Sequence, residues 1–184
     1  MLRAVLPAIA LSLLGTAWAG PIPEGQESAV GFRSFDLPAE QTGSFEATFD
    51  VTPLADNIDC FTGFSAADPR SASDVAAIVR FYDTGKIDVR NGGSFVADQA
   101  MGYSANKVYR VRVVVNVASK RYSVYVAPAG QPEVLLAKDF HFRSQQANVQ
   151  SLKKIVLAGY AGSDGFFKGA LRVSGFSLKA VATQ

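Results

Sequence analysis

The stretch VYRVRVVVNVASKRYSVYV, residues 108–126, decides the fold because apolar and polar side chains alternate along both of its arms. Val111 and Val113 recur at every second position of the first arm, and Val124 and Val126 do so on the second. A period of two is typical of β-strands that bury one face. The short polar segment between the arms therefore predicts an antiparallel hairpin with one side in a hydrophobic core.

A second hairpin is predicted in AAIVRFYDTGKIDVRNGG, residues 76–93. Its arms, residues 76–82 and 86–90, flank the tight-turn sequence Asp-Thr-Gly at positions 83–85. Apolar residues occupy one side of each arm, whereas arginine, aspartate and tyrosine occupy the other. The sequence therefore predicts a buried face and a polar face for this hairpin as well.

Residues 155–160 predict another, continuously apolar strand, and the same alternation recurs in residues 45–51, 134–142 and 171–178. In the last of these segments the apolar phase shifts by one residue near Ser174-Gly175, which predicts a β-bulge. Short β-branched and aromatic segments of this kind, about ten in all, predict an all-β domain with little helix. Such a domain is either a two-sheet antiparallel sandwich or a barrel.

Residues 1–19 have the pattern of a signal peptide, with a positive start, an apolar run and Ala-Trp-Ala before the cleavage position. Cleavage is expected near Ala19-Gly20, which predicts a secreted or periplasmic protein. No segment is apolar over the roughly 20 residues that a membrane-spanning helix needs, so membrane insertion is not expected. Residues 20–184 are expected to form a single domain, with residues 20–28 as a loose N-terminal arm.

The composition is that of a folded domain with nearly balanced charge. The chain is 48% hydrophobic and 18% charged, which argues against disorder. A formal net charge of +2 is too small to predict binding to nucleic acid or to a membrane surface. The single cysteine, Cys60, cannot form a disulfide within the chain. We expect it to be a buried thiol, with an intermolecular disulfide or a reactive thiol as the alternatives.

Residues 108–126 resemble the signature strand pair of concanavalin A-like, laminin G-like jelly-roll domains. In that pair an aromatic residue opens a strand of alternating hydrophobics, and a Tyr-Ser-Val-Tyr-Val strand returns. Residues 76–93 and DFHFRSQQANVQSL, residues 139–152, resemble companion segments of a secreted variety of the fold. The resemblance covers residues 28–180 and implies an all-β, two-sheet antiparallel β-sandwich. Such folds include lectins, carbohydrate-binding modules, glycoside hydrolases and polysaccharide lyases, so the site must decide the function.

The sequence does not carry the patterns of several hydrolytic chemistries. It has no Glu-x-Asp-x-x-Glu run, which the jelly-roll glycosidases usually use to hold their paired carboxyls. It also has no Gly-x-Ser-x-Gly elbow, and one histidine with one cysteine cannot supply a zinc site. We therefore favour a protein that binds without catalysis.

A polysaccharide lyase is the alternative enzyme, since it needs only a base and a group that neutralises a uronate carboxylate. His141, the only histidine, and Arg143 are the candidates for these roles. No cofactor is expected except for a calcium ion, for which Asp56, Asn57 and Asp59 of one loop are candidate oxygen ligands. Loop carboxylates of this kind more often form turns.

The polar sides of the two hairpins supply the candidate ligand-binding residues. If the valine-rich sides share one core, the opposite sides form a single surface that suits sugar hydroxyls, carboxylates and stacking. The candidates are Arg80, Tyr82, Asp88, Arg90, Arg112, Asn116 and Tyr125. A solvated polar surface is the alternative interpretation of the same residues.

The sequence thus predicts a secreted, non-catalytic glycan-binding or adhesive module. Its expected partner is an extracellular polysaccharide, with anionic polymers among the candidates. The alternatives are a polysaccharide lyase on the same fold, and an envelope-structural or protein-binding domain without a sugar ligand.

Overall fold

The computed structural model describes residues 24–161 and 165–181. Within them the chain is almost entirely β-structure, with single 3-10 turns at Ala72–Asp74 and Ser144–Gln146. The strands are β1 (Gln26–Glu27), β2 (Gly31–Gln41), β3 (Ser44–Pro53), β4 (Cys60–Ser65), β5 (Val75–Tyr82), β6 (Lys86–Asn91), β7 (Ser94–Gly102), β8 (Tyr109–Asn116), β9 (Arg121–Pro128), β10 (Val134–His141), β11 (Leu152–Gly159) and β12 (Leu171–Ala180). No helix in this part of the chain is long and apolar enough to cross a membrane.

These strands form two antiparallel sheets of six strands each. Sheet A has the order β1-β12-β3-β8-β9-β10, and sheet B has the order β2-β11-β4-β5-β6-β7. Both predicted hairpins form, β8–β9 in sheet A and β5–β6 in sheet B. The prediction of a two-sheet antiparallel sandwich is confirmed, and the barrel is not formed.

The core lies between the sheets and contains the residues that the alternation predicts. Val113 and Val124 face one another across β8 and β9 and are at most 1% exposed. Val79 and Phe81 of β5 are at most 2% exposed and belong to the same hydrophobic cluster. Burial of each such side chain stabilises the fold by about 1.5–3 kcal/mol. This free energy fixes which face of each hairpin turns inward.

Strand β12 contains the predicted bulge. Its register with β3 shifts between Ser174 and Ser177, and Gly175 adopts a φ of +60°. Glycine reaches this left-handed conformation without the steric cost of a Cβ atom. The extra residue returns Leu171 and Leu178 to the same buried side of the strand.

Sheet B also buries apolar side chains on its outer face, which the sequence analysis did not predict. Phe61, Ile78 and Val156 form the centre of a second, smaller cluster and are at most 1% exposed. Strand β4 is therefore buried on both faces. At Gly63 a Cβ atom would lie 2.3 Å from the carbonyl oxygen of Ala77, so β4 and β5 approach more closely than any side chain would allow.

The end of the predicted N-terminal arm is part of the fold. Gln26 and Glu27 form β1 and pair with Val173 and Arg172 of β12. Ser28 is 4% exposed, and its hydroxyl accepts a hydrogen bond of 3.1 Å from the backbone of Leu171. Residues 26–28 are therefore not a loose arm. The predicted signal peptide lies outside the described residues.

Candidate functional site

The predicted ligand-binding residues divide between the two sheets. One group is on β5 and β6 of sheet B, and the other is on β8 and β9 of sheet A. The apolar faces of both hairpins pack into the same core, so their polar faces lie on opposite outer surfaces of the sandwich. The prediction of a single surface is therefore wrong. The sheet B group is Arg80, Tyr82, Asp88 and Arg90; the sheet A group is Arg112, Asn116 and Tyr125.

On sheet A, Arg112 is fully engaged with its neighbours. It donates to Glu133 over 3.0 Å and 2.5 Å and to Glu46 over 3.2 Å, and its guanidinium lies 3.7 Å from the centre of the Tyr125 ring. The hydrogen bonds to Glu133 raise the pKa of Arg112, and the same contact lowers the pKa of Glu133. This guanidinium has little capacity left for a ligand.

Other charged residues of the sheet A face are likewise paired. Arg110 forms a two-point contact with Asp50 on the opposite strand, and Lys179 pairs with Glu46. Asn116 accepts a hydrogen bond of 3.0 Å from the backbone of Ser119 and so holds the β8–β9 turn. This outer surface fits the interpretation as a solvated, ion-paired sheet face.

Asn116 also lines a pocket of about 310 Å³ at the edge of sheet A. Tyr122, the aromatic residue in its lining, is 2% exposed and therefore offers no ring face to a ligand. Arg121 and Asp139 contribute to the rim, and they are joined by a hydrogen bond of 2.8 Å from Arg121 to the Asp139 carbonyl. The walls of this pocket mix polar and apolar groups, and its described lining residues present no exposed aromatic ring for stacking.

The polar face of sheet B is built around Arg80. This residue donates to both oxygens of Asp88 over 2.8 Å and 2.6 Å, directly across β5 and β6. The rings of Tyr82 and Phe95 lie on its guanidinium, each with its centre 3.8 Å away. Stacking and a two-point ion pair together hold Arg80 in one orientation. The result is a rigid floor of alternating aromatic and charged groups.

Beside this floor is a pocket of about 250 Å³, called here the sheet B pocket. Its walls come from β4, β5 and β7, from the segments that precede β4 and follow β11, and from the two 3-10 regions. Its lining residues are Asp59, Phe61, Ala72, Arg80, Phe95, Arg143 and Tyr160. The Phe61 and Tyr160 rings are 6.1 Å apart, and Phe32 packs edge-on against both. The pocket thus combines aromatic walls with charged groups.

Burial changes the electrostatics of the sheet B pocket. Desolvation raises the pKa of Asp59, an effect that Arg80 opposes. Desolvation also raises the pKa of Tyr160. A phenol with a raised pKa stays protonated at neutral pH, so Tyr160 is suited to stacking and hydrogen bonding and poorly suited to act as a base.

The two candidate lyase residues have different surroundings. His141 is exposed on sheet A, where it pairs with Arg121 of β9. Arg143 has left that strand and lines the sheet B pocket. The structure therefore does not combine a histidine base and this arginine in one pocket.

The candidate calcium ligands also have separate surroundings. The Asp56 carboxylate accepts a hydrogen bond of 2.8 Å from the backbone of Ala105, Asn57 has a left-handed φ of +55°, and Asp59 lines the sheet B pocket. Among the described residues, no group of three or more His, Cys, Asp or Glu side chains could hold a metal ion. Calcium binding stays a prediction.

Cys60 is the buried thiol that the sequence predicts. It is 0% exposed, and its sulfur lies 3.5 Å from the Ser28 hydroxyl and 3.3 Å from the Gly169 carbonyl oxygen. Burial raises the pKa of the Cys60 thiol to about 11. A thiol in this environment is unreactive at neutral pH.

Several residues of the sheet B pocket were not predicted as ligand-binding. Tyr160 ends the predicted strand at residues 155–160, Phe61 lies in β4, where every residue is buried, and Phe95 lies in β7, an edge strand without clear alternation. Arg143 was a candidate only as the partner of His141. The spacing of these residues along the sequence does not predict that they share a pocket. They come from separate segments, which the strand order β11-β4-β5-β6-β7 brings together.

Comparison with known sequences gives a partial match. No family model matches the chain. A gellan lyase from Bacillus sp is 34% identical over 98 residues. This match covers 51% of the chain but only 4% of the gellan lyase, so the chain corresponds to a small part of that protein.

Solved structures resemble the whole sandwich. A peanut lectin in complex with a nine-residue peptide has a TM-score of 0.61 at 10% identity and covers 93% of this chain and 99% of its own. Lectin I-B4 from Griffonia simplicifolia has a TM-score of 0.57 at 9% identity, and the match covers 92% of this chain and 100% of the lectin chain. The catalytic domain of a family 131 glycoside hydrolase from Coprinopsis cinerea has a TM-score of 0.50 at 9% identity, covering 78% and 58%. At these identities the likeness concerns the fold, and the chain has the concanavalin A-like jelly-roll fold.

Proposed function

We propose that the protein is a non-catalytic glycan-binding module that holds its ligand on the outer face of sheet B. The observation that carries this proposal is the sheet B pocket, where the half-exposed Tyr160 ring shares one lining with Asp59 and with Arg80, which Asp88 fixes. We further propose that the protein is exported, as the pattern of residues 1–19 indicates, and meets its glycan outside the cytoplasm.

The chemistry of the sheet B pocket suits a sugar. A pyranose ring has apolar C–H faces that pack on aromatic rings and hydroxyls that need directional donors and acceptors. The half-exposed Tyr160 supplies ring surface, while Asp59 and Arg80 supply an acceptor and donors. Since Arg80 is already fixed by Asp88, little conformational entropy is lost when a ligand binds.

Three observations favour binding over catalysis. The pKa of Tyr160 is raised, His141 lies on the other sheet, and the Asp88 carboxylate is already paired with Arg80. The partial likeness to a gellan lyase and the fold shared with lectins support a carbohydrate ligand in general.

A glycan array followed by calorimetry tests the proposal. Tyr160→Ala removes a ring from the sheet B pocket, and Tyr125→Ala removes a half-exposed tyrosine from the other outer face. Loss of the Tyr160 ring should weaken binding of the best array ligand at least tenfold, about 1.4 kcal/mol, because stacking area is lost. Tyr125→Ala should bind like the parent.

Thermal melts must show that both variants remain folded, with Tyr160→Phe as a second variant that keeps the ring. Equal losses in Tyr160→Ala and Tyr125→Ala, or no glycan bound by the parent, would contradict the proposal and favour a structural or protein-binding domain. Absorbance near 235 nm, about where an unsaturated uronate product absorbs, should stay flat with alginate, pectin and gellan. A rise in absorbance would identify a lyase instead.

A further inference from the structure

We infer that Arg90 and Arg143 together form a subsite for the carboxylate of a uronic acid residue, so that the bound glycan is acidic. This inference rests on the proposed glycan-binding function and adds the chemical class of the ligand. It is carried by the different pairing of three arginines on the outer face of sheet B. Arg80 and Arg90 contact the Phe95 ring, and Arg143 lines the sheet B pocket together with that ring.

Arg80 is neutralised, but its two neighbours are not. Arg80 makes the two-point contact with Asp88. The Nε of Arg90 donates to the Gly92 carbonyl over 2.9 Å, and the Nε of Arg143 donates to the Gln145 side chain over 3.2 Å. Within the described residues, neither Arg90 nor Arg143 has a carboxylate within salt-bridge distance, so their terminal nitrogens lack an anionic partner.

The fold brings the two arginines to one place. The Arg90 guanidinium lies 4.9 Å from the centre of the Phe95 ring, and Phe95 and Arg143 line the sheet B pocket together. Arg143 is anchored there because its backbone N–H donates over 2.8 Å to the carbonyl of Ala76 in β5. The next residue, Ser144, donates in turn to Gly92, which directly follows β6.

Two half-buried like charges raise the free energy of the empty site. Burial lowers the pKa of Arg90, and the positive charge of Arg143 lowers it further. Asp59 is the carboxylate among the described lining residues of the pocket; burial raises its pKa, Arg80 lowers it, and Asp83 and Asp88 raise it. An anionic ligand group would relieve the repulsion between Arg90 and Arg143.

A carboxylate on a sugar matches both parts of this arrangement. Guanidinium groups bind planar carboxylates through two parallel hydrogen bonds. The Phe95 ring is already contacted by Arg80 at 3.8 Å and by Arg90 at 4.9 Å, so the half-exposed Tyr160 of the same pocket offers the ring on which the attached pyranose would pack. A free anion would use only the arginines, whereas a uronate residue uses the ring as well.

Calorimetry at low salt tests the inference. The ligands are size-matched fragments of alginate, polygalacturonate and gellan, and each is compared with its carboxyl-reduced counterpart. The parent should bind at least one acidic fragment ten- to a hundredfold more tightly than the reduced form. Arg90→Gln and Arg143→Gln should each remove most of that preference. Arg121→Gln is the matched control, since Arg121 is a half-exposed arginine on sheet A that contacts only a carbonyl among the described residues.

The outcomes separate this inference from the proposed function. If reduced and acidic fragments bind equally and Tyr160→Ala weakens both, glycan binding stands and the carboxylate subsite is overturned. Equal losses in Arg121→Gln and Arg90→Gln would mean general attraction between charges and would also overturn it. Tighter binding of a sulfated glycan than of every uronate fragment would assign the subsite to sulfate instead. If the parent binds no glycan, both proposals fail. Arg90→Lys keeps the positive charge and serves as a second variant if Arg90→Gln does not fold.

Discussion

Two cross-strand ion pairs of the sandwich have the same geometry in different environments, so they form a natural test. Arg80 faces Asp88 across β5 and β6 of sheet B, and Arg110 faces Asp50 across β3 and β8 of sheet A. In both pairs the arginine contacts both carboxylate oxygens. The perturbation is Asp88→Asn, and Asp50→Asn is the control.

Burial and stacking set the expected difference between these variants. Arg80 and Asp88 are 16% and 18% exposed, whereas Arg110 and Asp50 are 53% and 25% exposed. Breaking a fully buried pair costs about 3–5 kcal/mol, and exposed pairs contribute about 0.2–1 kcal/mol. Because Arg80 keeps its stacking on two rings, we expect Asp88→Asn to cost about 2–3 kcal/mol. Asp50→Asn should cost less than about 1 kcal/mol.

Urea unfolding at pH 7 and low salt measures both free energies of unfolding. For a chain of this length the cost of Asp88→Asn corresponds to a fall in Tm of about 4–12 °C. Added salt should shrink the effect of Asp50→Asn more than that of Asp88→Asn, because exposed charges are screened. Equal costs for the two variants, or a larger cost for Asp50→Asn, would refute the view that the sheet B pair is a fixed part of its face.

Four further predictions concern the core. Val113→Asp should lower stability by more than about 4 kcal/mol or prevent folding, because an unpaired carboxylate would enter the space between the sheets; a far-UV melt like that of the parent would contradict this face assignment. Gly63→Ala should cost about 3 kcal/mol in urea unfolding because its Cβ would meet the Ala77 carbonyl at 2.3 Å, and a cost near zero would mean that β4 and β5 separate easily. Cys60, with its pKa raised to about 11, should resist iodoacetamide at pH 8 until the protein unfolds, and rapid labelling of the folded protein would contradict its burial. Burial raises the pKa of Cys60 in the folded state, so the neutral thiol contributes fully to the free energy of unfolding below about pH 9. This contribution is lost as the pH rises toward 11. Cys60→Ala should therefore flatten the pH dependence of the free energy of unfolding in that range.

The fold could be predicted from the sequence where one face of a strand is buried. The alternation around Val113 and Val124 identifies a strand pair and its inner face, and the phase shift near Ser174-Gly175 identifies the bulge. Strand β4 could not be identified in this way, because all six of its residues are buried and no alternation remains. Strands β2 and β7 lie at the edges of sheet B, where mixed exposure weakens the pattern.

The candidate site was predicted less well than the fold for a physical reason. Alternation shows which side chains of a hairpin face outward, but it does not show which sheet the hairpin joins. Arg90 and Arg112 have the same parity in similar hairpins, yet they lie on opposite faces of the sandwich. Ion pairs between distant segments are equally hard to predict from the sequence. Glu133, which pairs with Arg112 of β8, comes from the segment just before β10.

The central claim is that the outer face of sheet B binds the glycan, and amide chemical shifts test it most directly. The 15N-labelled protein is titrated with the strongest ligand from the array, and the shift of each backbone amide is recorded. We expect the largest chemical-shift changes in β4 to β7 and around Arg143 and Tyr160, and only small changes in β8 and β9. Largest changes on β8 and β9, or no change with any glycan, would contradict the claim.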